Sequence, residues 1–409
     1  AIKIVNKVFK GIDLSKVEPN TINYGHIVDF DSCQIIDEVL VSIFKAPKSY
    51  TKEDVVEINC HGGLFVTNKI YEQLVLLGAR PSEPGEFTKR AFLSGRIDLT
   101  KAEAVMDVIN AENNAALKIA NSALNGKIST FVDQKRQELL DIIATISVNI
   151  DYPEYDDVEQ LTNEDILPKL KTIKLELEDV LNNAKSAKLL KNGINTVIVG
   201  KPNVGKSSLL NTLIGENKAI VTNIPGTTRD IVEASINLGQ VTLNLIDTAG
   251  IRITEDVVEK IGVEKSKEQI NKADIILCVL DGSEPINEQD KEILNEIKNK
   301  CHLTIINKID LEQKINLGEV DDNVLFISTK NNNTIKELEN KILETLNLNN
   351  LFNKDITYIS NARQLEKINF AIKALDEALT TIENEATIDF VDIDIRKAWL
   401  YLGEIVGQT

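Results

Sequence analysis

One eight-residue run, Gly200-Lys201-Pro202-Asn203-Val204-Gly205-Lys206-Ser207, narrows the possible folds of this chain more than any other feature. Two glycines enclose four residues and are followed by Lys and Ser, the pattern of a phosphate-binding loop. The apolar run Ile194 to Val199 before it reads as a buried strand, and Ser208 to Ile214 after it as a helix. The chemistry needs these residue types. Glycines let the backbone around Asn203, Val204 and Gly205 curl into a nest of N–H donors for phosphate oxygens. Lys206 neutralises the outer phosphates and Ser207 offers a hydroxyl to Mg²⁺. The helix that follows, from Ser208, turns its positive end toward the anion.

Three shorter motifs follow in order, each at the end of an apolar run. Asp247-Thr248-Ala249-Gly250 closes Val241 to Ile246. There the aspartate is placed to hold a Mg²⁺-bound water, and the Gly250 amide to reach a terminal phosphate. Asn307-Lys308-Ile309-Asp310 closes Leu303 to Ile306. The two carboxylate oxygens of Asp310 suit the N1–H and 2-amino donors of guanine, whereas adenine would leave them unpaired. Ser328-Thr329-Lys330, after Val324 to Ile327, stands where a loop supports the base. Each motif alone is weak. Their order and strand-end placement predict a GTP site.

The chain has 409 residues, 43% hydrophobic and 27% charged, which predicts two or three globular domains. No apolar stretch approaches a membrane span, and no secretory leader is visible. Cys33, Cys60, Cys278 and Cys301 show no paired metal spacing and read as reduced thiols of a cytoplasmic protein. A net charge of −17 argues against nonspecific nucleic-acid binding by the whole surface. It leaves room for two local basic clusters, Lys185, Lys188 and Lys191, and Lys89, Arg90, Arg96 and Lys101. The favoured reading of each is a solvated helix face. Ala1 opens directly on a helical pattern, as in a chain lacking its natural start.

Residues 1–96 read as a small α+β domain: a helix from Ile2 to Phe9, β-rich runs at Tyr24 to Val28, Glu38 to Phe44 and Val55 to Ile58, then a helix from Leu64 to Leu77. Residues 97–193 carry long, Gly-poor helical periodicity, broken at Pro153 and the acidic stretch Glu154 to Glu159. Over 194–350 strands alternate with helices, as in a parallel α/β sheet, and over 351–409 the helical pattern returns. The last helical stretch is too short for a core of its own, so the α/β block is expected to be inserted into one discontinuous helical domain.

The nucleotide site has unusual equipment. Ras-type GTPases place a water-orienting Gln directly after Asp-x-x-Gly, but here Ile251 stands there. Hydrolysis must draw help from elsewhere. Within Thr222-Asn223-Ile224-Pro225-Gly226-Thr227-Thr228-Arg229-Asp230, Thr228 is the switch threonine for Mg²⁺. Thr222 and Ile224 could offer carbonyls to a monovalent cation, and Asn203 adds a neutral side-chain oxygen. Such oxygens suit K⁺. The acidic stretch Glu255-Asp256-Val257-Val258-Glu259 could supply a carboxylate that orients water.

These motifs, with Glu259-Lys260-Ile261-Gly262, resemble the MnmE family, also called TrmE, the tRNA-modification GTPases of the wobble-uridine pathway. The N-terminal segment is more discriminating. Ser49-Tyr50-Thr51, Glu53 to Ile58, Cys60-His61-Gly62-Gly63 and Pro84 to Leu93 are similar to that family's folate-binding domain and its exit. Ile97-Asp98-Leu99 and Ala102-Glu103-Ala104 look like its passage into the helical domain. The resemblance runs over essentially the whole chain. It implies a multidomain α/β plus α fold, with an N-terminal α+β folate-binding domain, a discontinuous helical domain and an inserted Ras-like P-loop GTPase domain. It also implies K⁺ at Asn203, Thr222, Ile224 and Thr227, and Mg²⁺ at Ser207 and Thr228. Glu259 falls on the activating glutamate, and Glu57 and Arg96 on folate contacts. The family carries lysine at the Arg96 position, which keeps the charge but changes the geometry.

The implied activity is GTP hydrolysis by a cytoplasmic homodimer. With an FAD-dependent MnmG partner, it would drive addition of a carboxymethylaminomethyl or aminomethyl group to C5 of the wobble uridine of certain tRNAs. The one-carbon donor would be 5-formyl- or 5,10-methylene-tetrahydrofolate, and no membrane is involved. A ribosome-assembly or signalling GTPase is the alternative, opposed by the folate-type segment. A folate-dependent aminomethyltransferase with an incidental nucleotide site leaves four ordered GTPase motifs unexplained. The family's N-terminal folate-contacting arginine and C-terminal Cys-x-Gly-Lys tail have no counterpart within Ala1 to Thr409. This chain is therefore expected to hydrolyse GTP without itself modifying tRNA. His61 invites a catalytic role, against a plainer one as a histidine packed beside a Gly-Gly turn.

Overall fold

The computed structural model describes residues 1–151, 163–216, 232–246, 269–320, 322–328, 334–349, 359, 361–384 and 387–408. The chain forms two compact units, Ala1–Val105 and Met106–Thr409. In the first, α1 (Ile2–Val5) leads into an antiparallel sheet of four strands. These are β1 (Phe9–Lys10), β2 (Thr21–Val28), β3 (Ile35–Phe44) and β4 (Val55–Asn59), in spatial order β1-β2-β3-β4. Side chains on a strand alternate between faces. Accordingly Val39, Val41 and Ile43 of β3 join Ile27, Val8, Leu14 and Ile70 in the core, while Leu40 stays 46% exposed. Helices α2 (Leu64–Leu76) and α3 (Glu86–Leu93) follow, and α4 (Leu99–Ile109) leads out of the unit.

The helix expected from Ile2 to Phe9 stops at Val5. Phe9 instead pairs with Ile27 across the β1–β2 ladder, and its ring fills the space a side chain at Gly25 would take. A distant strand partner overrides the local helical pattern here.

The second unit joins a helical layer to a sheet that, among the described residues, has six strands. These are β5 (Ile194–Val199), β6 (Val232–Leu238), β7 (Val241–Ile246), β8 (Ile275–Asp281), β9 (His302–Asn307) and β10 (Val324–Phe326), in order β10-β9-β8-β5-β7-β6. All pairs are parallel except the β6–β7 hairpin at the edge. Every residue of β8 is buried, as expected of a parallel strand covered on both faces. Helices α8 (Lys206–Glu216), α9 (Glu288–Ile297) and α10 (Thr334–Thr345) belong to this layer.

The helical layer takes α5 (Asn114–Leu124), α6 (Lys127–Asp151) and α7 (Asn163–Asn192) from before the sheet, and α11 (Ala362–Glu383) and α12 (Ile388–Val406) from after it. Across the two groups Lys174 meets Asp376 at 2.5 Å and Arg396 donates to the Ser147 hydroxyl at 3.0 Å. The Arg363 guanidinium binds the Glu404 and Ile405 carbonyls at 2.8 and 3.0 Å, satisfying the end of α12. Leu139, Ile146, Leu170, Leu177, Leu375, Ile395 and Leu402 are fully buried. The helical domain is therefore discontinuous, with the P-loop sheet inserted in it. No described helix is long and apolar enough to cross a membrane.

Polar side chains fasten the helices to the sheet. Asn113 caps α5 by accepting from the Ala116 amide at 2.7 Å, and its Nδ2 donates to Leu190 O and Thr242 Oγ1 at 3.1 and 3.0 Å. Asn237 donates to Glu112 O, and Asn244 to Asn192 O. Asn113 is 6% exposed, so its partners cannot turn to water. Asn113→Ala is expected to destabilise this unit by about 2 kcal/mol, combining a lost cap with stranded polar groups. Urea unfolding checks this; a change under half a kcal/mol would show the clasp to be dispensable.

Candidate functional site

The phosphate loop links β5 to α8, with its carbonyls turned inward. The Lys206 ammonium lies 2.5 Å from Gly200 O and 2.7 Å from Lys201 O. Asn307 Nδ2 donates to Val204 O at 2.9 Å and Lys308 Nζ to Asn203 O at 2.9 Å. Both motif glycines are sterically required. Gly205 has φ +103°, and a Cβ there would stand 2.1 Å from Asn307 Nδ2; one at Gly200, φ +148°, would stand 2.4 Å from Val279 O. Leu209 N closes the first helical turn on Gly205 O at 2.8 Å, and Ser207 and Ser208 are exposed in that turn. Burial pushes the Lys206 ammonium below its ordinary value, a cost that a bound anion would offset. The cradle therefore fits a polyphosphate.

The Asn307-Lys308-Ile309-Asp310 segment is bonded to this loop through its first two side chains. Lys308, at φ +64°, bridges the Asn203 carbonyl and Asp281 Oδ2 at 2.5 Å. Asp281 ends β8 and also accepts from the Ser283 amide and hydroxyl at 3.0 and 2.6 Å. Exposed Asp310 accepts from the Ser328 hydroxyl at 3.0 Å, which fixes the orientation of its carboxylate.

Sequence reasoning passed over two groups that the structure places here. Lys201 Nζ meets Glu284 Oε2 at 3.0 Å and Asp290 Oδ2 at 3.1 Å. Burial would lower this ammonium, but the two carboxylates outweigh it and hold it above its ordinary value. Asp281 is the other. The only signal for either was a charged residue beside a motif, in the loop and at the end of an apolar run. Cys278, in β8, has its thiol pushed up to about 12 by burial. Among the described residues the four cysteines are free, and no cluster of His, Cys, Asp or Glu is able to hold a metal.

Thr222, Asn223, Ile224, Pro225, Gly226, Thr227 and Thr228 lie outside the described residues, as do Asp247, Thr248, Ala249, Gly250, Glu259, Thr329 and Lys330. In the first unit, Glu57 is exposed on β4, opposite Ser42. The Arg96 guanidinium sits 4.9 Å over the Tyr50 ring and donates to Tyr50 O at 3.2 Å. His61 is neither packed at the Gly-Gly turn nor free. Its side chain is 75% exposed and its Nδ1 lies 2.8 Å from Asp37 Oδ1. The Asp37 carboxylate also accepts the His61 amide, so a strand end holds the histidine. Of the basic clusters, Arg90 pairs with Glu53 and Glu86, Lys101 with Asp98 and Lys191 with Asp107. Lys185 and Lys188 are exposed.

Burial alone would raise the Asp281 carboxyl, but the Lys308 and Ser283 bonds hold it below the usual carboxylate range. A depressed carboxylate adds stability that is fully present above its unfolded value, about 3.9, and is lost as pH falls through the folded one. Asp281→Asn is expected to cost about 2 kcal/mol at neutral pH, the range for a bond to a charged group. That gap should hold from about pH 7 to pH 5 and narrow below about pH 4. A gap that widens on acidification would contradict the assignment.

Comparison with known proteins places the chain in a family. The family model of the MnmE helical domain matches residues 99–409, and that of the GTP-binding protein TrmE N-terminus matches residues 1–96. The tRNA modification GTPase MnmE of Bacillus cytotoxicus is 48% identical over 414 residues, covering 100% of this chain and 90% of that protein. Its namesake from Streptococcus thermophilus is 50% identical over 410 residues, with the same coverage. Among solved structures, Aquifex aeolicus Era bound to GDP·AlF4⁻ is 31% identical, covering 44% of this chain and 66% of that one at a TM-score of 0.29. The chain thus belongs to the MnmE (TrmE) family of tRNA-modification GTPases.

Proposed function

We propose that this chain binds and hydrolyses GTP in the service of tRNA modification. The observation that carries the reading is the rigid frame uniting the phosphate loop with the guanine-reading motif, built on the Asn307–Val204 and Lys308–Asn203 bonds. That frame sets the distance between a phosphate cradle and the Asp310 carboxylate. Lys206 and the loop amides would bind the phosphates, and Asp310, oriented by Ser328, would accept from the guanine N1–H and 2-amino group. Thr329 and Lys330 would support the base.

Ser207 and Thr228 would hold Mg²⁺, with Asp247 acting through a water; the ion would neutralise charge on the phosphate oxygens. Asn203, Thr222, Ile224 and Thr227 would hold K⁺. Its role is inferred from Ile251 in the water-orienting position, and it is supported by the exposure of Asn203 at the lip of the loop. Glu259 would orient the attacking water. Thr248, Ala249 and Gly250 would follow the terminal phosphate.

The relatives' name supports tRNA as the substrate of the larger reaction. In our reading the chain acts in the cytoplasm as a homodimer with an FAD-dependent MnmG partner. A one-carbon tetrahydrofolate, contacted by Glu57 and Arg96, would serve modification at C5 of the wobble uridine. The domains would run 1–96, 97–193, 194–350 and 351–409, with the second and fourth forming one helical body.

Two measurements test the nucleotide chemistry. Asp310→Asn should shift preference from GTP toward xanthosine triphosphate, whose 2-oxo group matches the new amide. Unchanged discrimination would mean that Asp310 does not read the base. Turnover should be faster in KCl than in NaCl at matched ionic strength, and Asn203→Ala should remove the difference while nucleotide affinity stays within about threefold, since little ground-state binding is lost. Equal wild-type rates in the two salts would end the K⁺ reading.

A further inference from the structure

Two carboxylates stand beside the phosphate loop, where negative charge opposes a polyphosphate. Asp290 lies in the first turn of α9, and its side chain is only 4% exposed. The fold needs it there. Asp290 forms a capping box with Asn287, accepting the Asn287 amide at 3.2 Å while the Asn287 side chain accepts the Asp290 amide at 2.9 Å. Glu284 stands in the loop between β8 and α9. The cap that starts α9 thus creates an electrostatic liability for the neighbouring anion site.

Lys201 meets both carboxylates, at 3.1 Å from Asp290 and 3.0 Å from Glu284, and its side chain is 10% exposed. The two lysines of the loop therefore have opposite duties. Lys206 faces the cradle, held partly by the carbonyl of Lys201 itself at 2.7 Å. Lys201 turns away, into the acidic pair.

We propose that Lys201 is a positioning residue of the phosphate site, whose ammonium cancels the Asp290 and Glu284 charges and keeps the Lys201 carbonyl against Lys206. This rests on the reading of the loop as a nucleotide site. Unscreened, the two carboxylates would repel the phosphates and compete for the Lys206 ammonium, because Coulomb terms act over several ångströms in a partly buried setting. The effect belongs to ground-state binding. GDP and GTP are affected alike, since both present a β-phosphate, and the reacting atoms are untouched.

The test is GDP affinity of the full chain by calorimetry at low salt, with GTP turnover measured in parallel. Lys201→Met should weaken GDP binding about tenfold, within the usual range of coupling between linked groups, and raise KM similarly while kcat at saturation stays unchanged. Lys201→Arg should bind GDP like the wild type. Adding Glu284→Gln and Asp290→Asn to Lys201→Met should restore affinity, because the charge to be cancelled has gone. Glu284→Gln with Asp290→Asn alone, which retains the lysine, should bind GDP more tightly than the wild type and decides the matter if Lys201→Met does not fold. Wild-type affinity in Lys201→Met, or a triple variant as weak as the single one, would overturn the proposal. So would a double variant that binds no more tightly than the wild type. A wild-type chain that binds no GDP would instead overturn the nucleotide reading beneath it.

Discussion

The backbone of the phosphate loop keeps its shape because its carbonyls have somewhere to go. Those of Gly200, Lys201, Asn203 and Val204 all accept from side-chain nitrogens, of Lys206, Asn307 and Lys308. With the carbonyls drawn inward, the amides of the loop are left to face an anion. The donors come from Lys206, which opens α8 beyond the end of β5, and from Asn307 and Lys308 at the end of β9. The sheet register that aligns those ends is thus a condition for the nest.

That dependence explains the burial of the strands behind it. β8 lies between β5 and β9 and pairs with both in parallel. Its last residue, Asp281, supplies the counter-charge for Lys308. A slip of one residue in β8 would turn Asp281 to the other face of the sheet. The apolar run from Ile275 to Leu280, buried on both faces, makes such a slip costly, because side chains shaped to one face would have to repack into the other, at about 1–3 kcal/mol where they overfill it.

Much of this was legible in the sequence, since a phosphate loop and strand-end motifs are local patterns. The strands at Ile194 to Val199 and Val241 to Ile246 have the bounds expected, and the helical domain is split as the chain order implied. What escaped depends on partners far away. Phe9 joins a strand because Ile27 is opposite it, which helical periodicity does not register. Lys201 is drawn to acids 83 and 89 positions later. His61 is fixed by Asp37 on the neighbouring strand. The β6 strand and the last helix, α12, carried no motif and were not singled out.

Splitting the helical domain also sets a timetable for synthesis. α6 lies against α12, and α7 against α11, yet the whole sheet is encoded between them. At about 5–20 residues per second, α6 and α7 emerge on the order of ten to fifty seconds before their partners exist. During that interval Leu139, Ile146, Leu170 and Leu177 have no completed bundle to bury them. The inserted sheet can fold meanwhile, bringing its two ends together and so delivering α11 to a place beside α7. The insertion then works as a splint, and a nascent chain with a damaged sheet would leave a sticky half-bundle exposed for chaperones to find.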